Sequence, residues 1–246
     1  MTEPGPRSAT PFLADVTGLR PVGQGIWSLL PANSPGQPYD RKAAVYDTLI
    51  GSSLYNRFVW GADHGSYAAF ARDALRAAVG PHLDAGCGSL IGTGAAYVES
   101  ARSGSGRPWL LVDASLAMLT RARARLGPLP PAAALLQADL QTIPLQSRFI
   151  DSALCMGMLH LFGPDAAVGI LARIHESLVP RGALFLTSLV LGRSRGDRFL
   201  RFLHRAGEVD VPRTREQVRG LMRSVGFEIS DMRQAGNMLY VRASRG

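Results

Sequence analysis

Cysteine is scarce: Cys87 and Cys155 are the only two in 246 residues. That is too few, and they lie too far apart, for a disulfide scaffold or a zinc site, so no metal is expected. Both fall within apolar runs and read as small core residues of a reduced compartment. Lysine is scarcer still, Lys42 being the only one, so the remaining bases are arginine and the net charge reaches +8. A basic balance raises nucleic acid or an acidic surface as partner, whereas abundant arginine and alanine also follow from genomic base composition. Charge alone therefore does not decide. No apolar run approaches 18 residues, which excludes a membrane-spanning helix. The opening Met1-Thr2-Glu3-Pro4-Gly5-Pro6 lacks the basic and apolar regions of a secretory signal, so a cytoplasmic location is expected. A hydrophobic content of 46% and a charged content of 19% exclude a disordered chain, and the length suits one α/β domain with an appendage.

Along the chain, residues 1–38 are rich in proline and glycine and read as an irregular N-terminal extension. Apolar residues then recur at helical spacing over 39–51 and 66–79. After Gly80-Pro81 short apolar runs alternate with helical stretches. Strands are predicted at His82–Ala85, Trp109–Asp113, Ala134–Ala138, Phe149–Met156 and Ala183–Val190. The helices between them run over 95–102, from the N-cap Ser115 to Leu126, and over about 165–178. Such alternation argues a parallel sheet covered on both faces, with ligands at the carboxyl ends of its strands. The tail changes rhythm: a basic helix over 194–205, a helix opened by the capping box Thr214-Arg215-Glu216-Gln217, then two strands joined through Gly236-Asn237. The division is thus a helical cap at 39–79, a core at 80–191, a basic lid at 192–225 and a terminal hairpin at 226–246.

Three acids accompany the first three strands: Asp84 within the first, Asp113 ending the second and Asp139 closing the third. Gly86 and Gly88 in the first turn allow close approach of a ligand to the main chain, and the following helix start offers N–H groups to an anion. An acid ending the second strand suits a ribose diol and one after the third an adenine amino group, so a nucleoside ligand is expected. The dinucleotide fingerprint fails at Ile91, where a third glycine is needed, and there is no phosphate-binding P-loop.

The ordered set Leu83-Asp84-Ala85-Gly86-Cys87-Gly88-Ser89, Val112-Asp113-Ala114-Ser115-Leu116-Ala117-Met118-Leu119, Gln137-Ala138-Asp139-Leu140 and 151–160 resembles a class I S-adenosylmethionine-dependent methyltransferase. Within that class it is most similar to the ubiquinone/menaquinone-biosynthesis-like (methyltransferase-11 type) branch, over residues 39–242. The resemblance implies a Rossmann-like, doubly wound, seven-stranded, mostly parallel sheet with a terminal antiparallel hairpin and an N-terminal helical cap. It implies S-adenosylmethionine as cofactor. It also places Gly86, Cys87, Gly88 and Ser89 beside the methionine part, Asp113 at the ribose, Asp139 and Leu140 at the adenine, and Cys155 and Met156 near the methionyl group; Asp84, Ala114 and Met118 complete the cofactor set. Two departures stand out: Leu90, where a further glycine is usual, and the separation of 29 positions from Asp84 to Asp113. The stretch Pro21 to Leu30 resembles the end of a zinc-ribbon extension carried by some relatives, including rRNA guanine methyltransferases, without its cysteines.

Methyl transfer asks for orientation and exclusion of water more than for acid–base work. His160 stands nearest the rim of the fourth strand and is the candidate base should a proton leave the acceptor; the alternative is that it packs or caps the following turn. Arg193, Arg195, Arg198, Arg201 and Arg205 either line an anionic pocket or form a solvated face. Tyr39, Tyr46, Tyr55 and Trp60 form either an aromatic wall over the acceptor or part of the core. The expected function is methyl transfer to a small, apolar or aromatic acceptor. A nucleic-acid methyltransferase and a non-catalytic cofactor-binding protein remain as alternatives, and the acceptor atom and oligomeric state are left open.

Overall fold

A computed structural model describes residues 8–31, 51–63, 65–77, 79–104, 106–192 and 194–246. Of the helix expected over 39–51, residues 39–50, with Tyr39 and Tyr46, lie outside the described residues, as does Arg193.

The strands are β1 (Arg20–Gly23), β2 (Ile26–Ser28), β3 (His82–Ala85), β4 (Trp109–Asp113), β5 (Ala133–Gln137), β6 (Ile150–Met156), β7 (Leu178–Leu189), β8 (Phe227–Ala235) and β9 (Met238–Arg245). They form one sheet in the order β1-β2-β5-β4-β3-β6-β7-β9-β8. The five central strands run parallel, and β8–β9 close the sheet as an antiparallel hairpin. The doubly wound α/β fold is as expected, but the described residues form nine strands and not seven. The two extra strands come from the stretch read as irregular. Gln24 and Gly25 adopt positive φ and fold residues 20–28 into a hairpin, whose β2 pairs in parallel with β5 from Ile26↔Leu135 to Ser28↔Gln137. The hairpin covers the N–H and C=O row that β5 would otherwise present as a bare edge.

Helices α1 (Gly65–Ala77), α2 (Gly94–Arg102), α3 (Leu116–Leu126), α4 (Pro164–Ser177), α5 (Ser194–Arg205) and α6 (Arg215–Val225) cover the sheet. On one face Phe70, Ala71 and Leu75 of α1, Ala96 and Tyr97 of α2, and Leu119 and Ala122 of α3 pack over Leu111, Leu135 and Leu154. On the other, Ile170, Leu171 and Ile174 of α4 and Val218 and Met222 of α6 pack over Leu110, Val112 and Ala153. Strands buried on both sides explain why they read as continuous apolar runs. Phe12 of the N-terminal segment is fully buried against the second face, its ring 5.4 Å from that of Phe149.

Local signals set the helix ends. The Ser115 hydroxyl accepts the N–H of Met118, and the Thr214–Gln217 capping box forms in full. Two expectations shift. Val79 lies beyond α1 and is exposed rather than core. Pro180-Arg181-Gly182, whose sequence reads as a turn before a strand at 183–190, instead makes an irregularity inside β7, because Arg181 takes a left-handed φ of 65° while the strand resumes pairing at Ser152↔Ala183.

Candidate active site

The parallel strands end along one rim, and the turn after β3 is its centre. The N–H groups of Gly86 and Cys87 both donate to the Val112 carbonyl, at 2.9 Å each, which bends the chain sharply off the strand. Gly86 has φ of 78°, and an added Cβ would stand 3.0 Å from Met158 Cγ, so this position requires glycine twice over. At Gly88, with φ of 56°, an added Cβ would meet nothing within 4 Å. The main chain there is open to an approaching ligand. The usual third glycine of such a turn is Leu90, and it too takes a left-handed φ, 59°, with its side chain 2% exposed. The loop path is thus kept by a strained leucine held in the core.

Asp113 ties this turn to the next. Its Oδ2 accepts the Gly88 N–H and its Oδ1 the Ser115 N–H, both at 2.9 Å. Asp113 is half-buried at the rim. Asp139 accepts the Gln141 N–H at 2.9 Å and is likewise half-buried.

The predicted residues divide by accessibility. Gly86, Gly88, Asp113, Ala114, Asp139 and Met156 are partly open at the strand ends, whereas Asp84, Cys87, Ser89, Met118, Leu140 and Cys155 are buried. Cys155 is fully enclosed among the residues packed under α4, and burial pushes its thiol up to about 12. Burial, followed by the charges of Asp84 and Asp113, likewise raises the Cys87 thiol. Neither cysteine is a thiolate near neutral pH.

Beneath the turn runs a polar chain that sequence reading did not anticipate. Asp84 Oδ2 meets the Tyr97 hydroxyl at 2.7 Å, that hydroxyl meets His82 Nε2 at 3.0 Å, and His82 Nδ1 meets Ser152 Oγ at 2.6 Å. Ser152 Oγ reaches the Ala74 carbonyl at 3.3 Å. Burial is the main reason Asp84 is raised to about 7 and His82 lowered to about 3. The Tyr97 hydroxyl donates to Asp84 Oδ2, and the Ser152 hydroxyl to the Ala74 carbonyl. Asp84 Oδ1, by contrast, is buried without a partner.

Two further residues were missed at the end of β6. Gly157 has φ of 65° and open space above it, and its N–H is held by the Thr187 carbonyl and hydroxyl at 3.1 and 3.0 Å. A lone buried threonine in the apolar run 183–190 was the available signal. His160 lies half-buried in the 3-10 turn Leu159–Leu161. The Leu189 N–H points at its Nδ1 from 3.4 Å, and burial, reinforced by Arg213, lowers it to about 4. Arg213 itself is buried and donates to the carbonyls of Leu159 and Phe162, clamping that turn.

A helical segment before α1 and helix α5 stand beside this rim. Ser53–Tyr55 continues into the π-helical turn Asn56–Trp60. Trp60 and Phe199 of α5 pack at 5.5 Å between ring centroids, and Tyr55 meets both edge-on. The same cluster includes Met156, Leu189 and Leu191.

A doubly wound parallel sheet, a glycine turn after its first central strand, and acids ending the next two strands define the class I, S-adenosylmethionine-dependent methyltransferase fold. Residues 83–182 match the family model described as "Methyltransferase domain". This stretch is thus a methyltransferase domain, and the chain as a whole shares the fold of S-adenosylmethionine-dependent methyltransferases, with no one branch singled out. Among solved structures, the geranyl diphosphate C-methyltransferase from Streptomyces coelicolor A3(2), in complex with S-adenosyl-L-homocysteine, is 14% identical, with a TM-score of 0.61 over 86% of this chain and 100% of that one. An S-adenosylmethionine-dependent methyltransferase from Mesorhizobium loti is 22% identical, with a TM-score of 0.56 over 74% and 99%. The [4+2]-cyclase SpnF is 17% identical, with a TM-score of 0.65 over 85% and 94%. A search of curated protein sequences returns no match.

Proposed function

We propose that this methyltransferase acts on a small apolar or aromatic acceptor held between the rim and the cap made by residues 51–60 and α5. The observation that carries the reading is the continuous apolar cluster in which Tyr55, Trp60 and Phe199 of the cap join Met156, Leu189 and Leu191 of the strand ends. Such a lining excludes water and binds through buried area, which is what an apolar acceptor needs. The division into cap, core, lid and terminal hairpin belongs to the same reading.

The residues present fit the cofactor. Asp113 is a half-buried carboxylate at the end of β4, as a ribose diol requires, Gly88 is open, and the orphaned Asp84 Oδ1 could receive a donor such as an ammonium group. Asp139 and Leu140 would serve the adenine side, and Met156 the methionyl side. The cofactor supplies a methyl already activated on a sulfonium, so the chain's part is to orient the acceptor and keep water away.

His160 enters this proposal as a positioning residue. With Nδ1 facing the Leu189 N–H, the neutral ring carries its proton on Nε2 and donates there rather than accepting. A second reading, transfer to RNA, is favoured by the exposed arginines of α5.

The test is calorimetric titration with S-adenosylhomocysteine. Micromolar binding is expected, with at least a ~100-fold loss in Asp113→Ala while the far-ultraviolet spectrum is kept. Unchanged affinity in Asp113→Ala would remove the ribose assignment. Methyl transfer from labelled cofactor to aromatic acceptors, compared with RNA, then separates the two acceptor readings.

A further inference from the structure

Six large hydrophobic side chains are exposed among the described residues, and three of them stand on the two packed cap segments: Leu54 at 68%, Phe58 at 66% and Phe202 at 58%. Phe202 stacks on Phe199, whose other neighbours are Tyr55 and Trp60, so the segment that carries Leu54 and Phe58 packs on the helix that carries Phe202. Both segments also carry exposed arginine. Helix α5 holds four arginines against one acid, and Arg201 and Arg205 are exposed, as is Arg57 between Leu54 and Phe58. The lone acid, Asp197, is drawn inward to the Gly192 N–H and the Asn237 amide. Behind α5, Asp210 is engaged by Arg213.

We propose that this face docks on an anionic phospholipid surface, with Leu54, Phe58 and Phe202 entering the interface and Arg57, Arg201 and Arg205 pairing with headgroup phosphates. Apolar tips ringed by arginine match the interfacial region of a bilayer, where an apolar group gains from burial and a cation from the negative leaflet. A nucleic-acid strand fits less well, because Leu54 offers no ring face for a base to stack on. The helices here lie on the membrane and do not cross it, no described helix being long and apolar enough to span one. The proposal does not depend on which acceptor is methylated. If the acceptor is lipophilic, the cap would open toward the phase that dissolves it.

The full chain is floated with vesicles of phosphatidylcholine alone and of phosphatidylcholine with phosphatidylglycerol, at low and high salt, and titrated in parallel with a single-stranded RNA oligonucleotide. Binding to the anionic vesicles, weakened by salt, is expected. The doubly substituted Arg201→Glu, Arg205→Glu chain should bind them at least about tenfold more weakly. Phe58→Ser with Phe202→Ser should do the same at low salt. All four positions are exposed, and a melting curve identifies any variant that has lost its fold; the two independent pairs keep the test decisive. Absence of vesicle binding overturns the proposal, and so does binding that neither pair weakens. RNA binding that depends on the same residues, with no vesicle binding, assigns the face to nucleic acid instead.

Discussion

Tyr97→Phe probes the buried chain under the cofactor turn. The Tyr97 hydroxyl lies between Asp84 Oδ2 and His82 Nε2, at 2.7 and 3.0 Å, and all three residues are buried. Phenylalanine keeps the ring and its edge contact with Trp109 at 5.4 Å, so little packing is lost. What it strands is one polar atom on each side. An unsatisfied buried group costs about 1–3 kcal/mol, which makes the expected loss about 2–5 kcal/mol. For a chain of this size that corresponds to a fall in Tm of roughly 5–15 °C. Urea unfolding at pH 6, followed by tryptophan fluorescence and circular dichroism, measures it. A loss below about 0.5 kcal/mol would refute the reasoning, since it would mean that water or a relaxed side chain replaces the hydroxyl. The pH dependence supplies an independent check. Asp84, raised from 3.8 to about 7, makes the folded state hold a proton that the unfolded chain has released, so its contribution falls as pH rises from about 4 to 7. His82, lowered from 6.5 to about 3, has the opposite sign, its contribution rising with pH between about 3 and 6.5. The two offset each other over the shared window. Asp84→Asn removes the falling limb, so its stability relative to the parent should climb by about 1.4 kcal/mol per pH unit between about pH 4 and 7. A constant difference across that range would contradict the protonated Asp84.

Other substitutions test the rim. Leu90→Gly relieves a left-handed leucine, worth about 1–2 kcal/mol, but empties a buried site, which costs about 2–5 kcal/mol; a net loss of about 1–3 kcal/mol is expected on urea unfolding, and a gain would show that strain dominates. His160→Asn preserves an acceptor for the Leu189 N–H, so the transfer rate should change less than about tenfold, with the pH profile between 6 and 8 unaltered. A fall of about 10²–10⁴ with loss of a pH limb would make it the general base. Ile26→Asp, at the buried start of β2, should cost about 3 kcal/mol or more by placing a charge against β5; a smaller effect on urea unfolding would mean that the hairpin adds little to the sheet.

Much of this molecule was legible in short stretches of chain. The apolar runs at His82–Ala85, Trp109–Asp113 and Ile150–Met156, the Ser115 cap, the Thr214 capping box and the glycines at 86 and 88 act over a few residues, and each declares its conformation through sterics or a local hydrogen bond. The order of acids after strands then placed the candidate ligand rim, because in a parallel sheet the strand ends come together whatever the helices between them are. Tertiary structure decided what depends on distant partners. Residues 20–28 carry weak strand signals, and only the edge of β5, more than a hundred positions later, makes them β-sheet. Leu90 is left-handed because the turn between β3 and α2 demands it and the core holds its side chain, against the preference of leucine itself. Tyr97, His82, Asp84 and Ser152 show no common pattern in the chain. They became one hydrogen-bonded line because β3 is sandwiched between β4 and β6 under α2, where no water can serve in place of a partner.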